Sequence, residues 1–139
     1  MKLLIDKNLN IPEEKCKTIA QFCLYCANML PIEGEFKVYV VSEREPYSIS
    51  TTAVYMTNKN CCYIYGKNRA IPDIMRSIAH EMTHMMQDQT GLIRGQIRDA
   101  GGFHEDQANA RAGELLKRFV REDSSRKRIY ESKNKKLPV

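Results

Sequence analysis

Residues 72–89 constrain the fold most, because two kinds of side chain recur there at helical spacing. Residues three and four apart lie on the same side of an α-helix, so a repeat at this spacing marks one helix face. One such face is apolar and consists of Ile74, Ile78, Met82 and Met85. Pro72 at the start and Gly91 after the end mark the bounds of the helix. The pattern predicts a helix that is buried along one side.

Two histidines lie on the other side of this helix, within the sequence His80-Glu81-Met82-Thr83-His84, which has the form HExxH. Two histidines four apart lie one above the other and can bind one Zn²⁺ from the same side. Glu81 lies about 100° around the helix from His80, so it can reach a zinc-bound water without being a ligand. Zn²⁺ lowers the pKa of that water to about 7, and a carboxylate can take its proton. The motif predicts a zinc centre with Glu81 as general base; the alternative is a helix that carries His80 and His84 by coincidence.

A third zinc ligand must come from elsewhere, since a catalytic zinc usually has three protein ligands and one open position. Residues 103–122 predict another helix, and Glu105 and Asn109 share one face at its start. Glu105 is the favoured third ligand, although it could simply complement the positive end of that helix. Asn109 is expected to accept a hydrogen bond from a ligand imidazole. His104 is the rival third ligand, because histidine is an equally good zinc donor.

The segments HEMTH and EDQANARAGELL resemble the gluzincin branch of zinc metallopeptidases, and are also similar to the compact ImmA/IrrE-type peptidases. The resemblance implies an α+β, minimal zincin-like fold: a small twisted mixed β-sheet packed on the HExxH helix and a second ligand-bearing helix. It implies His80, His84 and Glu105 as ligands of one catalytic Zn²⁺, and Glu81 as the general base in hydrolysis of protein or peptide substrates. Asn109 departs from the aspartate of many relatives.

An extended HExxHxxGxxH motif would need glycine at position 87 and histidine at position 90. The chain has Gln87 and Thr90 there, which excludes the metzincin class.

The remaining pattern predicts a helix followed by a small sheet. The helix covers 12–30, and the strands cover 36–41, 52–57 and 61–65, with a short edge strand at the opening KLLI. Asn58-Lys59-Asn60 predicts a tight hairpin between the last two strands. In folds of this kind an edge strand borders the cleft and pairs with an extended peptide, and the 61–65 strand is the candidate edge. The donor for a transition-state oxyanion stays open among Tyr63, Tyr65, His104 and Arg98.

The length of 139 residues predicts one domain, over 1–122, followed by a basic and flexible tail over 123–139. The net charge of +5 belongs to the C-terminal end, because 117–139 hold nine Lys or Arg and three Asp or Glu. The tail could contact nucleic acid, in which case the peptidase would act on nucleic-acid-bound proteins. A further alternative is a non-catalytic, zinc-stabilised interaction or regulatory module, closed by a fourth ligand such as His104.

The chain lacks an apolar run long enough to span a membrane, and its opening does not have the pattern of a signal peptide. Its five cysteines are an odd number, which does not suit a disulfide framework. These features predict a cytoplasmic protein without a membrane partner. Cys23 and Cys26 are expected to act as small hydrophobic residues on the first helix.

Overall fold

A computed structural model describes residues 1–92 and 102–131 of the chain. The α-helices of these residues are α1 (Glu13–Met29), α2 (Ile71–Gln89) and α3 (Phe103–Glu122). The strands are β1 (Lys2–Ile5), β2 (Lys37–Val41), β3 (Ala53–Met56) and β4 (Cys61–Tyr65). The described residues therefore form an α+β fold with a small mixed sheet, as predicted.

The sheet has the strand order β1-β2-β4-β3. β2 runs parallel to both β1 and β4, and β3 pairs antiparallel with β4. The predicted hairpin is confirmed, and Asn58 and Asn60 in its turn adopt positive φ angles of 65° and 47°. Asparagine tolerates this left-handed region better than most residues.

The prediction that strand 61–65 is the sheet edge is wrong. β4 lies between β2 and β3, and its Cys62 and Ile64 are fully buried. An apolar strand gains most from neighbours on both sides, whereas the shorter β3 is preceded by the polar stretch 50–52 and is an edge strand. β3 therefore leaves one row of backbone groups unpaired within the described residues. The opposite edge is β1, as predicted for the opening KLLI.

α2 is the central helix of the fold, in contact with α1, α3, β3 and β4. Six apolar side chains on it are at most 1% exposed: Ile74, Met75, Ile78, Ala79, Met82 and Met85. Burying one large apolar side chain contributes about 1.5–3 kcal/mol, so this stripe fixes the position of the helix. The histidine-bearing side of α2 is consequently held by the packing of its other side.

The cysteines of α1 lie in the core, as predicted. Cys23 and Cys26 are fully buried with Ile19 and Phe22, and all five cysteines are free thiols. Burial raises the pKa of Cys23 to about 12, which keeps the thiol protonated at neutral pH. Complete burial among apolar side chains means that this pair packs as small hydrophobic residues.

The packed chain continues past residue 122, where the sequence predicted the domain to end. Ser124–Tyr130 form a 3-10 helix, and its Ile129 is only 2% exposed. The Arg126 guanidinium lies 3.8 Å from the centroid of the Phe119 ring. The isoleucine and this cation–π contact anchor the first part of the expected tail. Residues 132–139 lie outside the described residues.

No helix in the described ranges combines the length and the apolar composition that a membrane span requires.

Candidate metal centre

Three side chains from two helices converge on one point: His80 and His84 of α2, and Glu105 of α3. His80 Nε2 lies 3.1 Å from Glu105 Oε2, and His84 Nε2 lies 3.1 Å from Glu105 Oε1. One ligand atom from each residue lies within 4.8 Å of the other two. The helical spacing of the histidines stacks them on one face, and α3 brings the carboxylate against both rings.

Close packing of α3 on α2 makes this convergence geometrically feasible. Ala108 and Ala112 of α3 are fully buried, and Ala112 also belongs to the lining of the cleft beside the cluster. Alanine side chains allow two helix backbones to approach more closely than larger residues do. The first turn of α3 therefore places Glu105 within reach of both histidines.

Gln87, one turn after His84, fixes the orientation of that histidine. The amide of Gln87 is fully buried, and its Nε2 donates to the His104 backbone carbonyl at 3.0 Å and to Gln107 Oε1 at 2.7 Å. A backbone carbonyl can only accept, so this end of the amide is the nitrogen. The other end, Oε1, lies 2.8 Å from His84 Nδ1 and must accept from it.

The proton on His84 Nδ1 has a consequence for the opposite ring nitrogen. A neutral imidazole with its hydrogen on Nδ1 presents a lone pair at Nε2. That lone pair faces Glu105 Oε1, which is also an acceptor, at 3.1 Å. Two acceptors at this distance require a cation between them, either a proton or a metal ion. In the sequence, Gln87 served only to exclude the metzincin class. Its position three residues after His84, a candidate ligand, was the sign that it could be a partner of that histidine.

Glu81 lies on the same side of α2 and borders the same cleft, but it is only 8% exposed. Burial, assisted by the negative charge of Glu105, raises the pKa of Glu81 to about 8. Burial also lowers the pKa of His80, against the opposing effect of the Glu105 charge. Both shifts favour neutral forms in the metal-free cluster.

The other predicted site residues are distributed differently. Asn109 borders the cleft and interacts with the His80 side chain. Its role as the partner of a ligand imidazole stays a prediction. The structure brings Glu105 rather than His104 to the two histidines. His104 contributes through its backbone carbonyl, which holds Gln87.

The candidate oxyanion donors lie away from the cleft or outside the described residues. Tyr63 stacks between Tyr39 and Tyr47, with ring centroids 5.2 and 4.8 Å away, and the Tyr65 ring lies 3.9 Å from the Arg44 guanidinium. Because side chains alternate along β4, both tyrosines point away from the buried Cys62 and Ile64. Arg98 lies outside the described residues.

The cluster lies in a cleft of about 680 Å³ between α2, α3 and the edge strand. One wall is the backbone of β3 with its flanking residues 50–52 and Thr57, and the floor contains the histidines and Glu81. The N–H of Tyr65 donates to the Thr52 carbonyl, which makes these two residues a hydrogen-bonded pair of the ladder. Since such pairs alternate along an antiparallel ladder, the backbone groups of Ala53 and Tyr55 point away from β4.

The residues of the cluster fit a zinc ion by their chemistry and spacing. Two imidazole nitrogens and one carboxylate are a common ligand set for a catalytic zinc. A tetrahedral Zn²⁺ with bonds of about 2.0–2.2 Å holds neighbouring ligand atoms about 3.3 Å apart. The two nitrogen–oxygen distances of 3.1 Å are close to this value.

Comparisons of the chain with protein-family models, with curated proteins and with solved structures found no significant match.

Proposed function

We propose that this protein is a zinc-dependent metallopeptidase with a minimal zincin-like fold. His80, His84 and Glu105 would hold one Zn²⁺, and Glu81 would be the general base. The observation that carries the proposal is the convergence of the three ligand atoms, with His84 Nε2 directed at a carboxylate oxygen. The resemblance of HEMTH and EDQANARAGELL to gluzincins supports the same assignment.

Each residue has a defined part in the proposed hydrolysis. When bound, Zn²⁺ supplies a Lewis acid that polarises the scissile carbonyl and increases the acidity of water. The Glu81 carboxylate takes a proton from the attacking water and later gives it to the nitrogen of the leaving amine. Gln87 keeps His84 Nδ1 protonated, so that Nε2 stays available toward the cleft.

The form of the cleft supports a peptide as substrate. Within residues 1–92 and 102–131, no strand pairs with the backbone groups of Ala53 and Tyr55 on the side of β3 that lines the cleft. An extended peptide can pair with such an edge through its own backbone, whatever its side chains are. The described residues supply three ligands, whereas a closed structural zinc site would need four. The cleft therefore favours an enzyme over a non-catalytic zinc module.

The test compares zinc content and hydrolysis in two variants of the protein purified without chelators. We expect Glu81→Gln to keep one zinc per chain and to lower hydrolysis of a peptide library about 10²–10⁴-fold, because only the proton carrier is removed. Glu114→Gln, which changes an exposed carboxylate on α3, is the matched control and should behave as wild type. Full activity of Glu81→Gln would contradict the mechanism. A zinc-loaded wild type that cleaves no peptide would favour the non-catalytic module.

A further inference from the structure

The end of the cleft near the start of α2 is cationic, unlike the end that holds the carboxylates of Glu81 and Glu105. Arg69 and Arg76 line it, together with Asp73 and Ser77. Arg69 lies in the segment that connects β4 to α2, and Arg76 lies on α2 one turn before His80. Neither the zinc cluster nor the proposed proton transfer uses these arginines.

Three hydrogen bonds hold the Arg69 guanidinium in a fixed position. Its Nη1 donates to the Tyr65 carbonyl at 2.8 Å, and its Nη2 donates to the Asp73 carbonyl at 3.1 Å and to Ser77 Oγ at 2.8 Å. The planar group therefore spans the end of β4 and the first turns of α2. A side chain fixed in this way loses little further conformational entropy when it binds a ligand.

The positive charge of Arg69 is not neutralised by an ion pair in residues 1–92 and 102–131. All three hydrogen-bond acceptors of Arg69 are uncharged oxygens. The nearby Asp73 carboxylate instead contacts Arg76 Nη1, at 3.0 Å. Burial lowers the pKa of Arg69, and the positive charges of Arg44 and Arg76 act in the same direction while Asp73 opposes them. A half-buried cation in these surroundings gains from an added carboxylate.

The remaining hydrogen-bonding capacity of Arg69 suits such a ligand. A guanidinium has five N–H donors, and the three described hydrogen bonds leave two of them. The two that remain are the Nε–H and one Nη1–H, because Nη2 already makes two hydrogen bonds. They lie on different edges of the guanidinium, so each can donate a single charged hydrogen bond. A carboxylate oxygen is the acceptor that fits such a bond.

We propose that Arg69 determines specificity by binding a carboxylate of the substrate, from an acidic side chain or from a peptide C-terminus. The inference rests on the proposed peptidase function and names its substrate class. Ser77, which Arg69 contacts, precedes His80 by three residues, or about 4.5 Å along the helix. An extended peptide advances about 3.3 Å per residue. The carboxylate therefore lies within about three residues of the scissile bond.

The test uses the zinc-loaded wild type and matched peptides that differ at one position, Asp against Asn, scanned over three residues on each side of the cleaved bond. A second pair compares a free with an amidated C-terminus, which separates the two sources of the carboxylate. We expect one position, or the free C-terminus, to raise kcat/KM about 10–100-fold, as a charged hydrogen bond does. Equal rates for every pair would overturn the inference and leave the peptidase function standing.

Variants then locate the effect on Arg69. Arg69→Gln should remove the preference for the acidic peptide, so that the ratio of kcat/KM for the acidic and the neutral peptide falls to about one. Arg69→Lys should keep part of the preference, because it keeps the charge and loses the fixed position of the guanidinium. Arg111→Gln is the matched control, since Arg111 is not among the residues that line the cleft and its guanidinium is paired with Glu114 on α3. An acidic preference that persists in Arg69→Gln, or that is also lost in Arg111→Gln, contradicts the assignment.

A binding measurement separates this inference from the peptidase function. Calorimetry on zinc-loaded Glu81→Gln compares the affinities for the acidic and neutral peptides without hydrolysis. Tighter binding of the acidic peptide, lost in the Glu81→Gln, Arg69→Gln double variant, supports the carboxylate site even if the wild type cleaves nothing. Equal affinities for both peptides refute it.

Discussion

The two faces of α2 belong to one helix, but one face is apolar and the other is polar. The inner face consists of side chains such as Ile78, Met82 and Met85, which are fully buried among apolar neighbours. The outer face carries His80, Glu81 and His84, which are polar and border an open cleft. The inner face stabilises the fold, and the outer face has the spacing of a metal site. The helix therefore joins an apolar support to a polar cluster.

This difference explains how a small chain can hold polar groups in a fixed arrangement. The orientation of His84 depends on Gln87, which is held in turn by α3. The position of α3 depends on apolar contacts such as those of Leu115 and Phe119 in the core. Residues of the site are thus positioned by side chains that never reach the cleft.

The largest expected effect on stability comes from the inner face. Met82→Ala removes a fully buried side chain from the middle of the HExxH motif and should lower the free energy of unfolding by about 2–5 kcal/mol. Chemical denaturation in the presence of a chelator measures this, because bound zinc would otherwise add to stability. The folded fraction should still bind one zinc per chain. Glu81→Gln, on the outer face, should not lower the free energy of unfolding, because burial already disfavours the charged carboxylate that it removes. Equal losses in the two variants would remove the distinction between the faces.

The second largest effect is on zinc affinity and concerns Gln87, which links His84 to α3. Gln87→Met keeps the size of the side chain and removes both the acceptor for His84 Nδ1 and the donor to the His104 carbonyl. Such partners of a ligand typically contribute 10–100-fold to metal affinity, so zinc should bind that much more weakly. Competition with a chromophoric chelator measures the affinity. Gln89→Met is the matched control, because Gln89 contacts Glu33 and Asn60 away from the cluster. The same affinity in both variants would show that Gln87 does not position His84.

The smallest effect concerns the wall opposite α2. Ala53→Pro removes an N–H group of β3 that points away from β4, so the sheet keeps its ladder and a bound peptide loses one backbone hydrogen bond. We expect kcat/KM for peptides to fall about tenfold, the value of one such bond. Ala53→Val keeps the N–H group and should retain the wild-type rate within about threefold. Unchanged hydrolysis in Ala53→Pro would mean that the substrate does not pair with this edge.

Structural features that depend on neighbouring residues match the predictions from the sequence, whereas features that depend on distant segments do not. The bounds of α2 and α3 are correct within one residue because helical periodicity, Pro72 and Gly91 are properties of neighbouring residues. The predicted edge position of strand 61–65 was wrong, because strand order depends on pairing between distant segments. The pattern of side chains within 61–65 does not encode that pairing. The anchoring by Ile129 was missed because one apolar residue in a basic segment gives no periodic signal.

Within the site, the candidate ligand residues follow from spacing along single helices, whereas their partners depend on how the helices pack. His80, His84 and Glu105 could be proposed from two short motifs. The link from Gln87 to the His104 carbonyl requires α2 and α3 to be in contact. The Arg69 guanidinium reaches the cleft through the turn that joins β4 to α2, and the sequence gives no sign of its three uncharged acceptors.

The central claim is that the outer face of α2 and the start of α3 form one open metal site. The most direct measurement is a crystal structure of the zinc-loaded protein with anomalous data at the zinc edge. The account predicts one Zn²⁺ bound by His80 Nε2, His84 Nε2 and a Glu105 oxygen, at about 2.0–2.2 Å, with water in the remaining position. A zinc ion bound at other residues, a fourth protein ligand that closes the site, or a protein that binds no zinc would contradict it.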